Sequence, residues 1–191
     1  FKEFCESFTE GFKAMTPAIM ILCLAWTLSG VCREDYLNIG GFVGSVVGGN
    51  MLVAMLLPAI LFAVATGLSF ATGTSWGTFG ILIPIAFEVV GTGNINMLTI
   101  TTAAILAGAV CGDHISPISD TTILASAGAQ CNHINHVSTQ IPYALTVAAC
   151  CFVGYLAAGI TANGWVGTLL GLLLLIIVLT VIAGKTKKAK A

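Results

Sequence analysis

Two aspartates, Asp113 and Asp120, lie in a polar stretch that interrupts an otherwise apolar segment of the chain. The stretch covers residues 111–122, and the apolar run on either side of it is too short to cross a bilayer. Residues 98–130 are therefore predicted to form one membrane helix with a break in its middle. An unpaired aspartate at the centre of a bilayer costs about 2.5–3.5 kcal/mol, so we expect these side chains to face a cavity or to bind a ligand.

The polar stretch contains the ligand types that a hard cation prefers. Gly112 and Pro117 weaken the helix and leave backbone carbonyls free beside the carboxylates. Hydroxyls are supplied by Ser116, Ser119 and Thr121. Carboxylates, hydroxyls and free carbonyls together are typical of a site for a cation such as sodium, which is our first hypothesis for this stretch.

A structural interpretation of the two aspartates stands beside the ion-site hypothesis. Seven residues apart, Asp113 and Asp120 would share one face of a continuous helix, but Pro117 interrupts that helix. Asp120 is well placed as the N-cap of the helix that follows, and capping and ion binding can coexist in a broken helix. Asp113 follows the end of an apolar run and has no cap to make, which favours a functional role.

The chemistry predicted for a buried carboxylate is competition between two ions. Sodium and a proton bind the same group and exclude each other, so a site that changes sides carries sodium one way and a proton back. His114 is a candidate proton relay, because histidine exchanges protons near neutral pH. A histidine that only bonds to the backbone at the helix break is the alternative.

A second group of hydroxyls and glycines lies between the two apolar runs of residues 51–91. The second run is too short for an ordinary span, which favours a re-entrant hairpin with its tip at membrane depth. Two ordinary helices joined by a surface turn are the alternative. Small residues also allow helices to pack tightly, but their concentration here favours a site. The tip residues concerned are Thr72, Gly73, Thr74, Ser75, Gly77 and Thr78.

The composition places the chain among membrane proteins. It is 57% hydrophobic and only 8% charged, with a mean hydropathy of +1.00, so we predict an all-α membrane protein. The charges cluster near the ends and in one connection, and no basic groove for nucleic acid is evident. The remaining predicted elements are an interfacial amphipathic helix at 1–13 and membrane spans at 14–32, 138–160 and 165–184.

The lysines at the end of the chain predict its orientation in the membrane. Four of them lie between residues 185 and 190, which places the C-terminus in the cytoplasm by the positive-inside bias. Counting the predicted membrane spans back from the C-terminus places the polar segment 130–136, predicted to be a surface loop, on the cytoplasmic side as well. The chain begins at Phe1 without an initiator methionine, and we expect it to be a piece of a longer protein.

The sequence carries no enzyme signature. It has no HExxH, no GxSxG and no phosphate-binding loop, and its seven cysteines lie mostly in apolar runs without a CxxC pair. We therefore expect no enzyme and no cofactor, with sodium only as a transported substrate. A membrane metalloenzyme that uses Asp113, His114 and His133 is an alternative, although the predicted topology separates His133 from the helix break.

Two long motifs carry a resemblance to a known family. The sequences ATGTSWGT at 71–78 and GDHISPISDTT at 112–122 closely resemble the NhaC-type sodium/proton antiporter family. The downstream sequences CNHINHV at 131–137 and QIPYA at 140–144 are similar to that family too. The resemblance covers residues 8–160.

The resemblance implies a transporter built from two inverted repeats. Each repeat of such proteins has a re-entrant hairpin and a broken helix that meet at the substrate site, often moved by an elevator-like motion, and this chain would be the C-terminal repeat. The expected partners are sodium, protons, the lipid bilayer, the N-terminal repeat and a second copy of the protein. The residues predicted to hold the ion are Thr72, Thr74, Ser75, Asp113, Ser116, Ser119, Asp120 and Thr121.

The function predicted from these features is exchange of sodium for protons across the cytoplasmic (inner) membrane. The first alternative is sodium- or proton-coupled exchange of organic acids, of the malate or lactate type, or of amino acids. In that case the backbone amides of residues 72–78 would bind the substrate carboxylate. The second alternative is a membrane fragment or subunit that does not transport.

Overall fold

The structure is a computed structural model that describes residues 1–31, 35–38, 41–42, 45, 51–91 and 93–190. In this part of the chain the regular structure is entirely helical. The helices are α1 (Lys2–Val31), α2 (Met51–Thr72), α3 (Ser75–Val90), α4 (Ile95–Ile115), α5 (Asp120–Gly128), α6 (His133–Thr161) and α7 (Gly164–Lys190).

Four helices are long and apolar enough to cross a membrane, namely α2, α4, α6 and α7. The fold is therefore that of an all-α, multi-pass membrane protein, as the composition predicts. Helix α3 is apolar but shorter, with 16 residues. The predicted interfacial helix 1–13 and span 14–32 fall on the single helix α1, apart from Phe1, which precedes it, and Cys32, which lies outside the described residues.

The predicted surface loop at 130–136 is wrong in its second half. Asn132 caps the next helix by accepting a hydrogen bond from the Asn135 backbone N–H at 3.0 Å, and α6 begins at His133. Polar residues that suggest a loop are here the first turn of a helix, because an asparagine at the N-cap satisfies a free backbone N–H. The span predicted at 138–160 is correspondingly longer, from His133 to Thr161.

Helices α2 and α4 pack closely because glycine lies at their contact. An added Cβ on Gly108 would clash with the Phe62 carbonyl, and one on Gly112 would clash with the Thr66 carbonyl. The buried Ser69 hydroxyl donates a 2.6 Å hydrogen bond to the Ala109 carbonyl across this contact. Small residues that bring backbones together are the usual means of helix association in lipid, where apolar burial gives little driving force.

The other helices gather around this pair. Gly159 of α6 lies against the Met55 backbone of α2, and Gly154 of α6 lies against Gly167 of α7. Helix α3 adds apolar side chains to the α2–α4 contact, and α1 packs against α3. The buried cluster that joins α2, α3 and α4 consists of Ala65, Leu82, Ala86, Ile105 and Ala109.

Large apolar side chains remain exposed along the outer helices. On α7, Leu169, Leu173 and Ile176 are each more than half exposed, and the described side chains of that helix carry no charge. Such an unbroken apolar surface is typical of helices that face lipid. The polar groups gather instead between the helices, at the break between α4 and α5.

Candidate ion site at the helix break

Four residues between positions 116 and 121 cause the break between α4 and α5. Ser116 has an extended backbone, φ −76° and ψ 128°, as expected for a residue that precedes proline. Pro117 ends the helix, and the Ser119 side chain then accepts a 3.2 Å hydrogen bond from the Thr121 N–H. Ser119 is therefore the N-cap of α5, and the prediction that Asp120 caps this helix is wrong.

The carboxylate of Asp113 lies at the centre of the site. Asp113 is only 6% exposed, and its Oδ1 accepts a short hydrogen bond of 2.6 Å from the Ser119 hydroxyl. Its Oδ2 accepts from the Ser75 hydroxyl at 3.3 Å and lies 3.5 Å from the Thr121 hydroxyl. Three hydroxyls from two separate segments of the chain thus surround one buried carboxylate.

The hydroxyl groups around Asp113 can change from hydrogen bonding to binding a cation. Each hydroxyl has one proton, and Ser119 uses its proton on Asp113. The Thr121 hydroxyl, 2.7 Å from Ser119 Oγ, then donates to Ser119 and leaves only a weak contact with Asp113. Because hydroxyls rotate freely, the same oxygens can turn their lone pairs toward a cation bound at the carboxylate.

A sharp turn brings Ser75 to the carboxylate. Gly73 has φ +68°, a conformation that glycine adopts without strain, and an added Cβ there would approach the Ile118 carbonyl to 2.9 Å. The tip of the α2–α3 connection therefore rests on the broken segment. Thr74 caps α3 by accepting from Gly77 N–H at 3.4 Å, so two helix N-termini, of α3 and α5, begin beside Asp113 and favour negative charge there.

Some predicted ligands have other roles in the described structure. Ser116 is fully buried, but its hydroxyl donates to the Phe70 carbonyl at 2.8 Å and ties the break to α2. Thr72 is exposed and bonds within its own helix, to the Leu68 carbonyl. Asp120 is exposed at the first position of α5, and His114 is exposed beside the buried Asp113. The two aspartates therefore lie in different environments.

Three further side chains also hold the break: Thr122 and Ser126, which the sequence analysis did not select, and His133, which it named only as a possible metal ligand. The buried Thr122 hydroxyl lies 3.4 Å from the carbonyls of Asp113 and His114. His133 bonds through Nε2 to the Pro117 carbonyl at 2.7 Å and through Nδ1 to Ser126 Oγ at 3.1 Å. The described residues contain no group of three His, Cys, Asp or Glu side chains that could hold a metal.

A cavity of about 370 Å³, lined mostly by residues with polar side chains, adjoins the ion site. Thr121 belongs to both, because it touches Asp113 and Ser119 and also lines the cavity. The α6 side of the cavity shows a periodic signal that sequence analysis missed, since polar residues three or four apart share one face of an otherwise apolar helix. The cavity-lining residues with polar side chains include His114, Thr121, His136, Thr139, Gln140 and Tyr143.

On the ion-site hypothesis of the sequence analysis, removal of the Ser119 hydroxyl is expected to weaken sodium binding about tenfold or more, because a hydrogen bond to a charged group contributes roughly 1.5–3 kcal/mol. Ser119→Ala also removes the cap of α5, which costs about 1 kcal/mol of stability. The measurement is the sodium concentration that gives half-maximal exchange by the full-length protein. Thr101→Val is the matched control, since it removes a buried hydroxyl of α4 that bonds within its own helix, to the Met97 carbonyl, and does not contact Asp113.

The fold and the site together define a multi-pass membrane protein with a buried carboxylate at a helix break, an arrangement suited to ion transport rather than to enzyme catalysis. The comparison with known sequences agrees with this class. The model of the Na+/H+ antiporter family matches residues 1–160. The chain belongs to the Na+/H+ antiporter family.

Several curated proteins are similar to parts of the chain. An uncharacterized protein of Haemophilus influenzae is 47% identical over 86% of the chain, and the Malate-2H(+)/Na(+)-lactate antiporter of Bacillus subtilis is 31% identical over 64%. The arginine/ornithine antiporter ArcD of Halobacterium salinarum is 37% identical over 56%. The matched regions span 31%, 29% and 23% of these relatives' own lengths. No solved structure matches the chain.

Proposed function

We propose that the protein exchanges sodium for protons, with Asp113 as the group for which the two ions compete. The observation that carries this proposal is a buried carboxylate surrounded by hydroxyls from Ser75, Ser119 and Thr121. In the described part of the chain, no basic side chain forms an ion pair with it. A buried charge without a partner is costly, so the site favours an ion that neutralises it.

The exchange cycle follows because the Asp113 carboxylate binds one ion at a time, either sodium or a proton. When sodium binds, the carboxylate is charged and the hydroxyl oxygens turn toward the cation; when a proton binds, the carboxyl is neutral and the hydroxyls return to hydrogen bonds with one another. Transport needs the site to open alternately to the two sides of the membrane, and each opening exchanges one ion for the other. His114, exposed beside Asp113, is the candidate relay for the proton.

The same proposal includes the transporter architecture around the ion site. The α2–α3 connection is a re-entrant hairpin, α4 and α5 are the halves of one broken membrane helix, and the chain is the C-terminal repeat of an NhaC-type transporter. An N-terminal repeat completes the site, and two copies form a dimer. The protein lies in the cytoplasmic membrane with the C-terminus in the cytoplasm, which the lysines between residues 185 and 190 support. Sodium is a transported substrate and no cofactor is involved.

The test is sodium-driven proton movement in liposomes. Full-length protein is reconstituted with a pH-sensitive dye inside, and sodium is added outside in the absence of any organic acid. Sodium entry is expected to drive protons out and to raise the internal pH, while potassium of the same concentration gives no signal. If sodium produces no proton movement in this assay, simple sodium/proton exchange is refuted.

A second candidate is exchange of organic acids or amino acids coupled to the same ion site. Two of the similar proteins are named as antiporters of malate and lactate and of arginine and ornithine, and the polar cavity beside Thr121 has the size for such molecules. This candidate predicts that proton movement in the liposome assay appears only when an organic acid or amino acid is present.

A further inference from the structure

His133 joins the helix break to α5 through both nitrogens of its ring. Nε2 lies 2.7 Å from the Pro117 carbonyl, in the segment between α4 and α5, and Nδ1 lies 3.1 Å from Ser126 Oγ, in the last turn of α5. The Pro117 carbonyl can only accept a hydrogen bond, so Nε2 carries a proton and donates it. The state of Nδ1 then depends on the proton of the Ser126 hydroxyl.

The Ser126 hydroxyl has one proton and two neighbours. Ser126 Oγ lies 2.9 Å from the Ile123 carbonyl, which only accepts, and 3.1 Å from His133 Nδ1. When Ser126 donates to Ile123, Nδ1 needs a proton of its own to donate to Ser126, and His133 is then a positively charged imidazolium. When His133 is neutral, Ser126 can bond to only one of its two neighbours. The three contacts are therefore complete only when His133 is charged.

In the part of the chain that the structure describes, the His133 ring bonds to no other titratable side chain. Cys131, just before α6, bonds instead through its thiol to the Ser126 backbone carbonyl at 3.7 Å. Helix α2 has no titratable side chain, and the lysines of α7 lie between residues 185 and 190. The remaining titratable groups on the segments around His133 are Cys111, Asp113 and His114 of α4, Asp120 of α5, and His136 and Tyr143 in the first half of α6.

Both partners of His133 belong to the segment that carries hydroxyls to Asp113. Pro117 lies two residues before Ser119, and Ser126 lies on the helix that Ser119 caps. The Ser119 hydroxyl donates to Asp113 at 2.6 Å, and the Thr121 hydroxyl lies 3.5 Å from the same carboxylate. His133 therefore holds this segment on both sides of the two hydroxyls, and the loss of one of its bonds frees the segment to move away from Asp113.

We propose that His133 is a positioning residue of the ion site and that its positive charge keeps the site in the form that binds sodium more tightly. Loss of the proton leaves Ser126 with only one of its two bonds and loosens α5 against the break. The hydroxyls of Ser119 and Thr121 then hold sodium less well. Histidine changes its charge between about pH 5 and 8, so sodium binding is controlled by pH through this residue. This role rests on the sodium/proton exchange proposed above.

This control opposes the effect of pH at Asp113 itself. Sodium competes with a proton at the carboxylate, so a rise in pH favours sodium there until the carboxyl group is fully ionised. At His133 the same rise in pH removes a proton and weakens sodium binding. The comparison of the unmodified protein with a variant that cannot titrate at position 133 separates the two effects, because Asp113 is the same in both.

The test is the dissociation constant of sodium, measured by calorimetry on full-length protein in detergent at several values between about pH 5.5 and 9. His133→Gln is neutral at every pH and is expected to bind sodium more weakly than the unmodified protein at low pH. The ratio of the two dissociation constants is expected to be about two- to tenfold larger at the low end of this range than at the high end, which is what one hydrogen bond contributes.

Variants of the partners locate the control at His133 Nδ1. In a protein that already carries Ser126→Ala, adding His133→Gln is expected to change the sodium affinity by the same factor at every pH, because the proton on Nδ1 has lost its acceptor. Ser126→Ala alone, which should also weaken binding more at low pH than at high pH, gives the same comparison if His133→Gln does not fold. Ser138→Ala is the control and should keep the unmodified pH profile, since this exposed hydroxyl bonds within α6, to the Ile134 carbonyl.

A histidine with only a structural role gives a different result. If His133→Gln changes the sodium affinity by the same factor at low and high pH, the proposal is overturned, and it is also overturned if the pH-dependent ratio persists in the Ser126→Ala protein. If sodium drives protons in the liposome assay while the ratio is constant, sodium/proton exchange stands and only the role of His133 fails. If neither sodium binding nor exchange is seen, both proposals fail together.

Discussion

Asp113→Asn is expected to reduce sodium-driven proton movement to the level of liposomes without protein. Asparagine has nearly the same shape and can still accept the hydrogen bond from Ser119, so the break should keep its structure. It cannot release a proton or hold a cation as a carboxylate does, and therefore no exchange remains. The measurement is the dye signal after sodium addition, with protein content and size-exclusion profile checked for each preparation.

Two other acids make this prediction specific. Glu88→Gln, an exposed acid on α3, is the matched control and should exchange like the unmodified protein. Asp120→Asn tests whether one aspartate or both are essential. Because Asp120 is exposed, we expect this variant to reduce exchange only severalfold. Normal exchange by Asp113→Asn would show that the ion is held elsewhere, and complete loss in Asp120→Asn would show that both carboxylates bind it.

Gly112→Ala is expected to destabilise the protein and to stop exchange at the same time. The added Cβ would clash with the Thr66 carbonyl and would lie 2.8 Å from the Phe70 backbone N, so α2 and α4 would have to separate. Overpacking of this kind costs about 1–3 kcal/mol or more when backbone must move. Asp113 is the next residue, and the Phe70 carbonyl holds Ser116, so the displacement reaches the ion site directly.

The comparison for this variant is Gly67→Ala on α2. An added Cβ at Gly67 has no neighbouring atom within 4 Å, and alanine stabilises a helix by about 0.5–1 kcal/mol relative to glycine. Thermal unfolding in detergent should therefore place Gly67→Ala at or above the unmodified protein and Gly112→Ala several degrees below it. Equal melting temperatures for the two variants would contradict the close packing described for α2 and α4.

The sequence predicted the class of fold because membrane insertion acts locally. A helix that crosses a bilayer has to be long and apolar, so composition and run length identify the spans without knowledge of their contacts. The break was also evident locally, since Pro117 lies among glycine, serines and aspartates and favours an extended residue before it, whereas Pro58, Pro84 and Pro142 lie inside helices. The start of α6 was misplaced because its first turn is polar, and only the Asn132 cap reveals it.

Tertiary structure decides which of the two aspartates is buried in the candidate site. The sequence analysis named both Asp113 and Asp120 as ion ligands, yet Asp113 is buried while Asp120 is exposed. The difference arises because α4 continues through Asp113 to Ile115 against α2, whereas Asp120 begins a new helix whose direction is set by the caps at the break.

The sequence by itself determined that this is an all-α membrane protein with polar groups at a helix break, because a few residue types suffice for that. Which hydroxyls contact the carboxylate was decided by packing between segments nearly 40 residues apart, as in the bond from Ser75 to Asp113. A hydroxyl's partner depends on distances of a few tenths of an ångström, and these follow from the close approach of α2 and α4 at glycine rather than from any local pattern.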